Sequence, residues 1–268
     1  MLSTSRAWSC TKQDSGAPVS DASHQLPDGI VFLDKDLAVV VKGVGELCQD
    51  KVPQSLSRRM RPVIEAALGH GVELCQCVHR LDQPVSGLCI LALTEQSLSA
   101  LSEAFAQGAV QKTYCAVTER FRQQQDSGEN RWSGAPLPET GDWQLLSCLM
   151  VFDSSRKKAR IVGPGHRGAK EARLRYKVVG QGERYDFLVV EPLTGRSHQI
   201  RCQLASIGRP IKGDLKYGAK RSERGGGIRL HAYKLVFPHP IRGAQLSLAC
   251  HPPKEDNLWL SCTGFLCR

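Results

Sequence analysis

The 268-residue chain carries 36 Lys and Arg against 26 Asp and Glu, a formal net charge of +10, and is 41% hydrophobic. That is enough apolar material for a substantial core in one large domain or two modest ones, and the charge favours a polyanion, nucleic acid first, over an acidic or neutral partner. No run approaches the roughly 18 apolar residues of a membrane span, so a soluble protein with no membrane partner is expected. The eleven cysteines show neither an even-spaced framework nor a secretory signal, which points to reduced thiols in the cytoplasm.

Residues 1–25 contain Ser, Thr and Arg6, no acid before Asp14 and no amphipathic period, so they read as a disordered leader, 1–25, before a single domain, 26–268. Ile30–Leu33 and Leu37–Val41, separated by Asp34-Lys35-Asp36, form two strands joined by a turn. Gln54–Leu68 sets Leu56, Met60, Val63, Ile64 and Ala67 at helical spacing and stops at Gly69, with Pro62 a point of kinking or division. Leu88–Leu93 is a buried strand. Thr94 caps the next helix, whose apolar stripe is Leu98, Leu101 and Phe105 and whose end is Gly108. Lys112–Thr118 is a further strand, and Arg122–Asp142, rich in Gln, Gly, Pro and charge, is an exposed loop or weakly ordered insertion.

Glu171–Val179 alternates, with Ala172, Leu174, Tyr176 and Val178 on one face and Arg173, Arg175 and Lys177 on the other, as a strand buried on one side does. Tyr185–Val190 pairs with it across a hairpin loop at Gly180-Gln181-Gly182-Glu183. Ser197 starts a helix that buries Ile200, Leu204 and Ile207 and stops at Gly208. Ile228–Phe237 is a strand, and the apolar runs Leu246–Ala249 and Leu258–Leu260 close the chain. Many antiparallel strands with a few helices between them make the class α+β.

Chemistry is expected first at His79-Arg80-Leu81-Asp82-Gln83-Pro84-Val85-Ser86-Gly87, where a carboxylate stands between a basic pair and a buried strand. Taken alone, Asp82 before Gln-Pro is equally an ordinary turn former. Cys75-Gln76-Cys77-Val78-His79 invites a metal, but Cys-x-Cys is poor zinc spacing and no second pair completes four ligands, so no metal is expected. No P-loop, dinucleotide fingerprint or His-Glu-x-x-His motif implies a cofactor. Three basic runs, Arg58–Arg61, Arg156–Arg160 and Lys220–Arg224, are spread along the chain and would need the fold to gather them into a face.

Three separated segments, His79-Arg80-Leu81-Asp82 with Ser86-Gly87-Leu88, then Lys112-Thr113-Tyr114, then Leu193 to Arg201 running on to Gly208-Arg209-Pro210-Ile211 and Gly213-Asp214, together resemble the RluA-type pseudouridine synthase family. Leu230-His231-Ala232 adds a weaker match. The matches keep the family's order from about Ile30 to Pro253. The resemblance implies an α+β fold with a central mixed, largely antiparallel β-sheet in two halves, a catalytic cleft between them and helices packed outside. It implies an isomerase that converts particular uridines of ribosomal or transfer RNA to pseudouridine without a cofactor, as a monomer acting on a stem-loop.

By the same resemblance, Asp82 attacks C1′ or deprotonates C2′ of a flipped-out uridine, Arg201 pairs with it, and Tyr114 stacks on the base and helps remove the C5 proton. Arg80 fills the vacated space, Leu230 packs on the base, and Lys112, Arg196 and His198 contact phosphate or loop. Core or surface packing is the competing reading for each, and is strongest for Lys112 and His198. The chain departs from the family pattern at Gly43, where proline usually follows Lys42, at Val85 and Ser197, where threonine is usual, and in having no room for an S4-like domain. A non-catalytic RNA-binding protein or chaperone is the main rival. A glycoside hydrolase fits poorly, since Asp82 has no second carboxylate beside it in sequence.

Overall fold

The computed structural model describes residues 10–12, 26–48, 52, 54–120, 141–253 and 256–266. The chain divides into two compact units interleaved in sequence, one holding the residues up to Thr113 together with His231–Leu260, the other Tyr114–Leu230 and the residues from Ser261 on. The expected disordered leader contains a strand at Cys10–Lys12, and the rest of it lies outside the described residues.

In the first unit β1 (Cys10–Lys12), β2 (Ile30–Leu33), β3 (Leu37–Lys42), β4 (Gln76–Cys77), β5 (Ser86–Ala92), β11 (Leu230–Pro238) and β12 (Gln245–Cys250) form a mixed sheet ordered β2-β3-β5-β11-β12-β1, with β4 also on β5. β5 runs antiparallel to β3 and parallel to β11. Being central, β3 and β5 are buried on both faces, which is why Leu37–Val41 and Leu88–Leu93 read as unbroken apolar runs. The core gathers Leu37, Val39, Leu88, Ile90, Leu235 and Phe237 with Leu101 of α2 (Glu95–Ala106).

Thr94 caps α2 as expected, in a reciprocal pair with Ser97: each side chain accepts from the other's backbone N–H. α1 (Leu56–Leu68) buries Leu56, Met60 and Ile64, ends at Gly69 in the left-handed region, and runs unbroken through Pro62, whose exposed position leaves the carbonyl that lost its donor to water. Two arginines of its basic run are taken up by carboxylates, Arg59 by Glu46 and Arg61 by Glu65.

The second unit is an antiparallel sheet ordered β6-β10-β9-β7-β8, from β6 (Gln111–Glu119), β7 (Gln144–Asp153), β8 (Lys158–Val162), β9 (Lys170–Gln181) and β10 (Tyr185–Pro192). β9 buries Ala172, Leu174, Tyr176 and Val178, the face its alternation predicts. The run Arg156–Arg160 forms the β7–β8 turn and the start of β8. Asp153 Oδ1 accepts from the amides of Ser155 and Arg156, folding the β7–β8 turn, and Ala159 enters the core beside Met150 and Cys202. The expected loop 122–142 lies almost wholly outside the described residues. Leu258–Leu260 lies in a helix, α4 (Asn257–Leu266), and Phe265 near its end lies so close to Gly180 that a Cβ there would be 2.4 Å from the ring.

The helix expected to begin at Ser197 is α3 (Gln199–Ser206), with His198 ahead of it in a left-handed conformation at φ 56°. The cause is Gln199. Its side-chain oxygen accepts from the Arg196 amide (2.9 Å) and the Thr194 hydroxyl (2.7 Å), and its amide donates to the Arg173 carbonyl (2.9 Å). Gln199 therefore fixes the preceding turn itself and leaves Ser197 exposed without a capping role.

Candidate active site

The loop that carries Asp82 leaves β4 and enters the central strand β5, so its far end is fixed by a strand with neighbours on both sides. Along it the side chains alternate. His79 Nε2 accepts from the Ile90 amide (3.1 Å) and the ring packs on Phe105 with centroids 4.9 Å apart. Arg80 is exposed, Leu81 is buried, and Asp82 is half-buried. Burial pushes His79 down to about 4, which keeps the ring neutral and able to accept. His79 is thus an anchor, and the exposed Arg80 and half-buried Asp82 are the residues the loop presents.

The turn itself closes through the Val85 amide to the Asp82 carbonyl (3.0 Å). Beneath it lies a residue for which the sequence suggested no role beyond a motif departure. Lys42, fully buried at the end of β3, donates from its ammonium to the carbonyls of Val85 (2.6 Å), Gly43 (2.9 Å) and Gln83 (3.2 Å). Gln83 also accepts from the Gly45 amide (2.8 Å) and donates from its side chain to the Gly45 carbonyl (3.1 Å). Burial lowers the Lys42 pKa, while the charges of Cys48, Glu46, Cys89 and Asp82 act to raise it. The available signal was a lysine closing an otherwise apolar strand, a position a core rarely gives to an unpartnered charge.

On the other side of the loop the Leu81 amide donates to Cys48 Sγ (3.4 Å), and the Leu81 carbonyl accepts from the same thiol (3.7 Å). Cys48 lies against Cys77 and Cys89, the three Sγ atoms within 4.8 Å of one another. Hydrogen bonds from those two lower the Cys48 pKa, and the same contacts raise Cys89 well above the ordinary thiol range.

Ser86-Gly87 serves packing. Gly87 has φ 120°, and a Cβ on it would lie 2.4 Å from the Ala232 carbonyl oxygen, so only glycine lets β5 and β11 approach. The Ser86 hydroxyl lies 2.9 Å from His231 Nδ1, and His231 Nε2 lies 2.9 Å from the Cys250 carbonyl. A carbonyl can only accept, so Nε2 carries the proton, and Ser86 donates to Nδ1. Burial pushes His231 down to about 4. Lys112 is half-buried, its ammonium 5.7 Å above the Phe105 ring, and burial lowers its pKa.

The remaining sequence-named residues stand in the second unit. Tyr114 is 9% exposed on β6, in register with Val190 of β10. Arg201 is 5% exposed on α3 and grips Asp214 in a fork, Nε to Oδ2 at 2.7 Å and Nη2 to Oδ1 at 2.9 Å, with its guanidinium 4.9 Å from the Tyr217 ring. Arg201 thus forms a buried bidentate pair with Asp214. Asp214 belongs to the Gly213-Asp214 segment and was assigned no role from sequence. His198 Nδ1 and the Tyr217 hydroxyl share a hydrogen bond (2.9 Å), and that hydroxyl accepts from the Ala159 amide (2.7 Å), so His198 braces the same group. Arg196 is exposed and donates from Nε to the Glu171 carbonyl (2.9 Å). Leu230 is buried at the start of β11.

The chain is thus a mixed-sheet α+β protein with an aspartate set on a stapled loop at the head of a central strand. The model of the RNA pseudouridylate synthase family matches residues 36–206, and the chain belongs to this family, in its RluA-type branch. It is 30% identical to tRNA pseudouridine synthase C of Pectobacterium carotovorum over 82% of this chain and 57% of that protein. It is 27% identical to ribosomal large subunit pseudouridine synthase D of Zymomonas mobilis over 90% and 74%, and 31% identical to an uncharacterized RNA pseudouridine synthase of Mycoplasma pneumoniae over 93% and 76%. The chain thus spans little more than half the length of the first of these relatives and about three quarters of the other two. The solved structure of human RNA pseudouridylate synthase domain containing 4 shares the fold, with a TM-score of 0.67 at 22% identity over 90% of this chain and 94% of that one.

Proposed function

We propose that the protein is an RNA pseudouridine synthase acting on one or a few uridines of ribosomal or transfer RNA, with Asp82 as the group that acts at the ribose. The observation that carries this reading is the mounting of Asp82: a half-buried carboxylate between two residues, Leu81 and Gln83, whose backbones are held by Cys48 on one side and by Lys42 and Gly45 on the other. A reacting group must be held to within a fraction of an ångström, and a loop fixed at both flanks does this without a cofactor. The relatives named for transfer and ribosomal RNA support the substrate class.

In the proposed reaction the C1′–N1 bond breaks, the base turns, C1′ bonds to C5, and the C5 proton is removed while N1 gains one, so the change is an isomerisation. Asp82 attacks C1′ or takes the C2′ proton, and either route needs its ionised form. Tyr114 stacks on the base and assists at C5, Arg201 orients the reacting carboxylate, Leu230 packs on the base, and Arg80 takes the space the base leaves. Arg196, Lys112 and His198 serve phosphate and loop contacts. The proposed enzyme acts as a monomer. Extruding a uridine costs a few kcal/mol in a duplex and least where bases are already unpaired, which favours a stem-loop substrate. The eleven cysteines, without an even-spaced framework, support a reducing, cytoplasmic setting.

Trp143 on the second unit supports an RNA partner: it is 39% exposed, with the Arg175 guanidinium 4.6 Å and the Lys177 ammonium 5.3 Å from its ring. Basic groups around an exposed indole suit stacked bases and phosphates. The deciding experiment maps pseudouridine by carbodiimide labelling in cells lacking the gene and re-supplied with wild type or Asp82→Asn. A site restored by wild type alone is the expected result. Equal restoration by Asp82→Asn, or no dependent site, replaces the enzyme with a non-catalytic RNA-binding protein.

A further inference from the structure

Three thiols converge beside the Asp82 loop from separate segments of the first unit. Cys48 follows β3, Cys77 ends β4, and Cys89 lies within β5. Cys77 is in register with Leu91, and Cys89, two residues along β5, projects from the same face as Leu91. All three Sγ atoms lie within 4.8 Å of one another, the one all-cysteine group of this kind among the described residues.

We propose that Cys48, Cys77 and Cys89 form a site for a thiophilic d10 metal ion, zinc or copper(I), whose binding fixes the Leu81 backbone next to Asp82. The dimensions fit. Three thiolates on a tetrahedral zinc, with bonds of about 2.3 Å, stand about 3.8 Å apart, so the observed group closes on the ion by shifts of about an ångström or less. An all-sulfur set selects soft cations and rejects magnesium and calcium. The three sulfurs bind as thiolates, any thiol proton still held passing to solvent, which leaves a net charge of −1 for zinc or −2 for copper(I). The buried ammonium of Lys42, on which Cys48 and Cys89 act electrostatically, offsets part of it. The Leu81 amide already donates to Cys48 Sγ, the outer contact that orients and stabilises a metal-bound thiolate. Cys48 and Cys89 are buried and Cys77 is half-buried, so Cys77 is the entry and the side on which water completes the zinc shell.

Spacing alone pointed away from metal because it offered only Cys75 and Cys77. The structure turns Cys75 elsewhere: its thiol donates to the Ser57 carbonyl at 3.5 Å. Cys75 is therefore the internal control.

The test uses the purified full chain, reduced and without oxygen. Cadmium serves as a spectroscopic probe of thiolate bonding, and zinc and copper(I) are titrated in competition with chromogenic chelators to show which ion is preferred. The expected result is one saturable equivalent, with affinity at least about tenfold weaker in Cys48→Ser, Cys77→Ser and Cys89→Ser and unchanged in Cys75→Ser. Alkylation of the wild-type chain read by mass spectrometry needs no variant: metal is expected to protect Cys77 and leave other accessible thiols reactive. Absence of saturable binding, equal loss in Cys75→Ser, or an unprotected Cys77 overturns the site. These readouts do not involve RNA, so their failure leaves the role proposed for Asp82 standing, and failure of that role leaves the metal site standing.

Discussion

The Lys42 ammonium lies 2.6 Å from the carbonyl oxygen of Val85, so a charge buried at the end of β3 holds the far side of the turn that begins at Asp82. Its other two acceptors, Gly43 and Gln83, make it a three-point staple between the two loops. Replacing it by methionine leaves buried carbonyls without donors, at a cost of about 1–3 kcal/mol each. We expect Lys42→Met to lower stability by about 2–5 kcal/mol in urea. Single-turnover rates should drop more than RNA affinity does. Faster hydrogen exchange at the Gly45 amide, which shares the Gln83 carbonyl, would place the defect in this loop; an unchanged rate constant would end the staple argument.

The buried fork of Arg201 on Asp214 carries a separate expectation. Removing one partner strands a charge at a site less than a tenth exposed, which costs about 3–5 kcal/mol. Arg201→Met should therefore destabilise strongly, whereas Arg201→Met combined with Asp214→Leu should recover much of the loss. If Arg201 also orients the reacting carboxylate, the double variant regains its melting temperature without regaining pseudouridine formation. Recovery of both would reduce Arg201 to a structural residue.

Acid stability depends on His231. Its pKa is pushed from 6.5 to about 4 by burial, so the folded chain takes up this proton less readily than the unfolded chain. Between those values the unfolded state holds more protons, and stability must fall as pH falls, by at most about 3 kcal/mol for this group. His79, pushed to about 4 by the same cause, acts in the same direction. Urea unfolding at pH 7, 5.5 and 4.5 should show the loss, and His231→Asn should be weaker at pH 7 with a shallower pH slope. A parallel slope in the variant would refute the assignment.

Gly87→Ala is the sharpest packing test. A Cβ at φ 120° and 2.4 Å from the Ala232 carbonyl meets backbone that cannot rotate away. We expect a loss above about 3 kcal/mol, seen as failure to fold or a collapsed thermal transition. A wild-type melting curve would mean that β5 and β11 are not this close.

Arg173, Arg175 and Lys177 should carry salt-dependent affinity. Each phosphate contact removed lowers the slope of log affinity against log salt by about 0.7–0.9. Trp143→Ala should instead weaken single-stranded binding by about 1–3 kcal/mol with little change in slope. If neither group moves affinity, RNA does not use this face.

Much of the chain's local structure was legible because one signal dominated each segment. Period-two alternation decided β9, unbroken apolar runs decided β3 and β5, and Thr94 with Gly108 bounded α2. The start of α3 was misread because Ser197 is the usual cap by residue type, whereas Gln199 supplies the bonds here through a contact with Arg173 twenty-six residues away. The β7–β8 hairpin drew no expectation because in sequence Arg156–Arg160 is only one of three basic runs for the fold to gather, and Asp153 folding that turn is visible only in the paired strands.

The candidate site divides in the same way. Residue type and order were enough to name Asp82, Tyr114 and Arg201 as candidates and to identify the family, because a carboxylate, a phenol and a guanidinium are properties of the side chains themselves. Only tertiary structure could decide who holds them. The Lys42 staple joins segments 41–43 residues apart, the Arg201 fork closes on Asp214, which the sequence placed in a motif without a role, and the three thiols meet from positions 48, 77 and 89. Burial sets those partners, since a charge or thiol removed from water must bond whatever the fold brings within reach.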